Sequence, residues 1–357
     1  MFEDMSYKGL LERMLARVPE TFDKREGAVI YDALAPAAME LQLMYLNLES
    51  ILRELFADTA SREYLIRRAA ERGISPLPAA YAVLKGKFAP ASVTIPEGAR
   101  FSCGEYDYSV FEKIADGEYR LRCETLGSVG NTVFGTLLPI DYIAGLERCE
   151  LTELLIPGQD EEETEHLRKR YFDSLKSQAY GGNIADYREK TATIQGVGGV
   201  KVYPAWAGGG TVKLVVISSE YQAPSDNLVQ LIQEEIDPPA DSGKGYGIAP
   251  IGHHVTVVPV SAANIDLKFQ IVFRAEYNFT SVKEAVENAV DAYFDELNRA
   301  WADSERLVIR ISRLESRILE IEGILDITET KLNGSPQNVI LGEDEIAIRG
   351  TVSEAGN

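Results

Sequence analysis

The spacing of apolar residues changes character near residue 75, and that change limits what the chain can fold into. Before it, apolar side chains recur every three to four positions; after it, stretches of strict alternation appear. Leu10, Leu11, Met14, Leu15 and Val18 fit one short amphipathic helix. A longer helix is predicted from about Ala28 to Phe56, in which Leu41, Met44, Leu48, Ile51 and Leu55 form two heptads of an apolar seam. Pro36 either kinks this helix or marks its true start. A third helix, about Arg62 to Arg72, ends at Gly73, a natural C-terminal stop. Two heptads fall short of a coiled coil, so the seam either packs on the neighbouring helices or meets another subunit.

Beyond residue 75, Pro76, Pro78 and Pro90 punctuate the chain, and Tyr106–Val110 and Tyr119–Cys123 alternate as half-buried strands do. Asp116-Gly117 is a hairpin turn signal, and Pro96-Glu97-Gly98 fits a type II turn. From Gly158 onward helices and strands mix. Helices are expected near Thr164–Gln178, Ile184–Ile194, Ser225–Ile236, Ser281–Arg299 (with Ser281 and Glu284 as a capping box) and Ile311–Glu320. Strands are expected at Val197–Tyr203, Thr211–Ser218, His253–Val260, Ile265–Phe273 and Ile324–Lys331. Ile194-Gln195-Gly196-Val197 and Ile321-Glu322-Gly323-Ile324 each join a helix to a strand through one glycine, as two related modules or as coincident turn chemistry. The expected class is α+β and multidomain. A helical N-terminal region (1–75) precedes an all-β domain (76–157) and two mixed α/β modules (158–261 and 262–357).

Size agrees, since 357 residues at roughly 150 per domain give two to four domains. The net charge of −20, from 56 acidic and 36 basic residues, repels a nucleic-acid backbone. No stretch reaches the roughly 18 apolar residues of a membrane helix, so no membrane insertion is expected. The acidic opening Met1–Asp4 is unlike a secretory signal, and synthesis in the cytosol is expected. Cys103, Cys123 and Cys149 match no zinc pattern and read as reduced, buried thiols in the β-rich region.

The usual catalytic signatures (G-x-S-x-G, Walker A, H-E-x-x-H, EF-hand) are missing from the sequence. Gly243–Gly247 lacks phosphate-loop spacing and reads as a flexible loop, and Gly208–Gly210 as a solvent loop. His253 and His254 are strand neighbours that point to opposite faces, which argues against a shared metal. Gly181-Gly182-Asn183 reads as a turn with Asn183 capping the next helix. No catalytic, cofactor or metal residue is assigned, and the candidate site is the seam through Leu41, Met44, Leu48, Ile51 and Leu55, read as a subunit interface.

Several ordered stretches resemble the baseplate J-like family of contractile-tail phages, prophages and tail-like bacteriocins, particularly from Gram-positive hosts. They are Arg25–Ala37 with Glu40-Leu41; Thr59–Ser61 with Glu63–Leu65 and Arg68–Glu71; Ile95–Gly98 with Phe101; and Gly127–Asn131. They continue through Ile156–Gly158, Leu167-Arg168, Arg170-Tyr171, Gly181–Asn183 with Asp186-Tyr187, Gly196-Val197, Gly209–Val212 and Ala249–His253 with Val255–Val257. The resemblance runs from about residue 20 to 260 and weakens beyond 262. It implies a structural wedge subunit of a contractile-tail baseplate, without catalysis or cofactor. Such a subunit would be made in the host cytoplasm and end in the baseplate of a virion or tail-like particle. The implied partners are other wedge proteins, the tail hub, fibre-attachment proteins and further copies within a six-fold ring, with a part in the contraction switch. The competing reading is a cell-wall-degrading tail component, which calls for an acid/base site.

Overall fold

The computed structural model describes residues 5–176 and 181–354. Met1–Asp4 and the last turn of the helix expected to reach Gln178 lie outside the described residues. The architecture is α+β and multidomain, in two compact units: Met1–Pro76 with Glu162–Lys176, and Leu77–Glu161 with Ser177–Asn357.

The first unit is helical, with α1 (Tyr7–Leu15), α2 (Val29–Leu55), α3 (Arg62–Ala70) and α4 (Thr164–Lys176). Ser6 caps α1 by accepting the Gly9 amide, and Leu10 and Leu11 bury against Ala38 of α2. α2 runs unbroken through Pro36, so the proline is not its start. α3 stops before Gly73, whose φ of +75° lets the Ile74 amide return to the Ala69 carbonyl at 3.0 Å. Leu65 and Ala69 of α3 pack on Leu167 and Tyr171 of α4, so this stretch of the 158–261 segment gives its apolar face to the helical unit. The Arg168 guanidinium donates to the carbonyls of Ala57 and Ala60, and the buried Glu162 carboxylate lies 2.7 Å from Arg170 and 2.6 Å from His166.

The second unit opens with strands β1 (Tyr81–Ala89), β2 (Arg100–Cys103), β3 (Tyr106–Ala115), β4 (Glu118–Leu126), β5 (Gly135–Thr136), β6 (Leu138–Pro139) and β7 (Arg148–Ile156). They form one sheet in the order β5-β7-β1-β4-β3-β2-β6. β5 and β6 lie at its two edges yet are separated in sequence only by Leu137. One short segment therefore pairs with β7 through its first half and β2 through its second, closing the sheet into a near-barrel with Leu137 buried inside. Asp116-Gly117 makes the tight turn between β3 and β4, with Gly117 at φ +74°. The Pro96–Gly98 turn closes through the Ala99 amide on the Pro96 carbonyl. Cys103, Cys123 and Cys149 are unpaired and buried in this core.

Two α/β modules follow. The first holds α5 (Ile184–Ala192), β8 (Val197–Pro204), β9 (Thr211–Ser218), α6 (Asp226–Ile236) and β10 (His254–Pro259), in a sheet ordered β10-β9-β8. Asn183 and Ser225 cap α5 and α6. β9 is buried on both faces from Leu214 to Ile217, which is why these four residues form a continuous apolar run. Val212, Leu214 and Val216 face the core shared with α5 and α6, whereas Val215 and Ile217 enter the core of the second module.

That second module comprises β11 (Ser261–Phe273), α7 (Phe279–Arg299), β12 (Val308–Ile309), α8 (Ile311–Leu319), β13 (Ile324–Leu332), β14 (Val339–Ile340) and β15 (Glu345–Glu354). Its sheet is ordered β13-β11-β15, antiparallel then parallel. The capping box of α7 is Asn278 with Ser281, not Ser281 with Glu284: the Asn278–Ser281 pair satisfies the same free amides three residues earlier. Gly196 and Gly323 have φ of +88° and +97°, so both modules carry the helix–glycine–strand link.

A polar lock reinforces the shared core of the two modules. Buried Lys201 donates to the carbonyls of Glu343 and Glu305 at 2.6 and 3.2 Å and lies over the Trp301 ring at 4.7 Å. Burial pushes its pKa down. Beside it, Lys213 reaches Asp344 at 2.9 Å, and the Tyr203 hydroxyl donates to the same carboxylate.

Candidate assembly surfaces

The seam predicted on α2 divides in the structure. Leu41 is partly buried, packing with Tyr31, Leu34 and Tyr45 around the α1 contact. The other four lie open, with Met44 46%, Leu48 39%, Ile51 60% and Leu55 50% exposed. Met39, Leu43, Leu46 and Phe56 are exposed as well, a second stripe that the heptad reading passed over although Met39, Leu43 and Leu46 follow at spacings of four and three. α1 spans nine residues against the 27 of α2, too short to cover the longer helix along its length.

The stretches that carry the family resemblance meet one another through turns and buried hydrogen bonds. Asn131 donates to the Gly158 carbonyl at 3.0 Å and accepts the Gly158 amide at 2.7 Å, while its NH2 group also reaches Glu220 at 2.5 Å. Asp160 accepts the amide and hydroxyl of Ser128 at 3.0 and 2.7 Å, contacts that hold its carboxyl below the usual range. Gln195 donates to the carbonyls of Tyr81 and Pro157, and Ser225 to that of Leu155. These bonds knit the near-barrel to the first α/β module.

A second meeting point lies where Gly182 packs against Pro250 and His253. The Gly182 amide donates to buried Asp186 at 2.8 Å, and the Tyr187 hydroxyl lies 2.8 Å from His253 Nδ1. Burial, with Asp237 and Asp186 nearby, pushes the tyrosine pKa up to about 12, so the hydroxyl stays protonated. His254 turns instead to the Ser242 hydroxyl at 3.1 Å, so the two histidines do part. The Gly243 loop is pinned, because Asp237 accepts the amide of Gly243 and the hydroxyl of Ser242. Among the described residues no group of three or more His, Cys, Asp or Glu is arranged to hold a metal ion.

Two sheet edges in this unit are occupied by side-chain amides. Gln233 of α6 donates to the Val255 carbonyl and accepts the Val257 amide on the outer side of β10. Asn298 of α7 donates to the carbonyl and accepts the amide of Ala347 on the outer side of β15, each at 3.0 Å. An unpaired edge invites addition of a foreign strand, and these amides fill the positions such a strand would use.

Comparison with known proteins accounts for the pattern. Residues 179–259 match the baseplate J-like central domain, and residues 265–354 match the baseplate J-like protein C-terminal domain. The chain is 38% identical to XkdT of the phage-like element PBSX of Bacillus subtilis strain 168, over 99% of this chain and 98% of that one. It is equally 38% identical to YqbT of the same strain, again over 99% and 98%. Baseplate protein gp47 of Escherichia phage Mu is 26% identical over 62% of this chain and 63% of its own length. The match beyond residue 262 extends the likeness into the segment where the sequence resemblance weakened, and the chain belongs to the baseplate J-like family.

Proposed function

We propose that this chain is a structural wedge subunit of a contractile phage-type baseplate, joined to its neighbours around the hub and taking part in the contraction switch. The observation that carries the reading is 38% identity over 99% of the chain to a protein of a phage-like element, together with the bare apolar length of α2. Exposed apolar patches of this kind mark interaction sites. In this reading Met44, Leu48, Ile51 and Leu55 are covered by another wedge protein, and copies of the chain associate within a six-fold ring. Hub and fibre-attachment proteins are the remaining expected partners, and the mature location is the baseplate of a virion or tail-like particle.

A switch of this sort needs parts that move as blocks. The core shared through Val215 and Ile217, and the lock at Lys201, favour the two α/β modules moving together. The segments 1–75, 76–157, 158–261 and 262–357 are then building blocks of the wedge and not independent machines. Deleting the gene and imaging particles from an induced lysate tests the proposal. Loss of sheathed tails, restored by complementation, is the expected result; complete tails with intact baseplates would return the protein to an accessory or wall-degrading role.

A further inference from the structure

Among the described residues nothing hydrogen-bonds the outer edge of β8, unlike the outer edges of β10 and β15. The Ala205 amide bonds the Thr211 carbonyl, and the register through Tyr203↔Lys213 and Lys201↔Val215 turns the odd-numbered backbone groups toward β9. The amides of Val200 and Val202 therefore point away, and no hydrogen bond reaches either among the described residues. Pro204 then ends the edge without an amide of its own. A groove of about 250 Å³ runs beside this edge, lined by Lys201, Val202 and Tyr203 and by Asp303, Glu305 and Glu343, with Arg188 alongside.

We propose that the outer edge of β8 is a docking edge at which a cationic extended segment of a neighbouring tail protein adds as a further strand. Main-chain bonds to Val200 and Val202 would supply affinity, as in other strand-addition complexes. Charge sets the partner. Asp303, Glu305 and Glu343 line the groove with Arg188 and Lys201; Glu343 also lies 3.6 Å from Arg306, and the Lys201 ammonium is already turned to two carbonyls. With the Lys201 ammonium so engaged, the acidic side chains of the groove favour an incoming strand that carries lysine or arginine. That the strand comes from a tail protein rests on the baseplate reading.

Hydrogen–deuterium exchange on the purified chain and on purified particles tests this directly. The Val200 and Val202 amides are expected to exchange readily in the free chain and at least tenfold more slowly in particles. Val202→Pro removes an outward amide without touching the β8–β9 bonds, and its entry into particles is expected to fall at least tenfold. Val202→Ala keeps the amide and should enter normally, whereas Glu305→Lys should enter several-fold less. If the chain is present in particles and the edge gains no protection, the inference fails alone. If the chain is absent from particles, the baseplate reading fails with it. Protection that appears in the purified chain as its concentration rises would identify a second copy as the occupant and overturn the cationic-partner assignment. Should Val202→Pro fail to fold, exchange in the unmodified chain still decides.

Discussion

The side-chain oxygen of Gln233 accepts the amide proton of Val257 at 2.9 Å, the bond that a neighbouring strand would otherwise make. Its NH2 group reaches the Val255 carbonyl at 3.0 Å, so one amide imitates a residue paired in parallel with Thr256. Asp237 takes the Val255 amide at 2.9 Å, and Pro259 has none. Each amide on the outer edge of β10 is thus satisfied or missing. Gln233→Leu should leave two backbone groups unpaired and cost about 1–3 kcal/mol in urea unfolding. The exposed edge should also raise self-association in sedimentation velocity. Unchanged stability together with an unchanged monomer fraction would show that the edge needs no guard.

Asn131 is the corresponding point in the near-barrel. Its side chain is buried and makes two bonds to Gly158 and one to Glu220. Asn131→Ala should cost about 1–3 kcal/mol, read as a lowered thermal midpoint. Asn131→Asp should cost more, because it sets a carboxylate against the Gly158 carbonyl and the Glu220 carboxylate. An aspartate variant as stable as the parent would mean that the Gly127–Asn131 turn is held by its glycines alone.

The Asp160–Ser128 contact makes the same junction sensitive to acid. The folded carboxyl sits below its ordinary value of 3.8, so the folded state binds the proton less readily than the unfolded chain. The contribution is complete above the unfolded value and fades as pH falls through the lower folded value. Because the group is exposed, the effect should be below about 1 kcal/mol. Unfolding midpoints of the parent chain and Asp160→Asn should differ at pH 6 and converge toward pH 2; a gap independent of pH would assign the effect to packing.

Much of this fold was legible where period and punctuation agree. Ser225 before α6, Asp116-Gly117 between β3 and β4, and Gly73 after α3 each act within a few residues, which is the range over which a sequence can be read. The missed features depend on distant partners. β15 contains Arg349 and Gly350 and is a strand because it pairs with β11, about 80 residues earlier. Two-residue strands such as β5 and β6 carry no periodic signal, and nothing local in α6 says that Gln233 meets β10. On α2 the apolar spacing was readable, but the partial burial of Leu41 depended on where α1 would lie.

The exposed seam yields the sharpest prediction for assembly. Met44 and Ile51 are 46% and 60% exposed, so glutamate at both positions removes little packing, and surface changes of this kind move stability by about 0.5 kcal/mol or less. Met44→Glu with Ile51→Glu should therefore leave the circular dichroism spectrum and thermal midpoint of the purified chain close to those of the parent. The same pair places two charges in a face that the proposed wedge contact would desolvate, a cost that ordinary contacts do not offset. Incorporation into particles, measured by immunoblot of purified tails, should fall below a tenth of the parent level. Loss of helix signal in the purified double variant would instead show that these side chains belong to the chain's own core. Normal incorporation of a folded double variant would move the subunit interface away from α2.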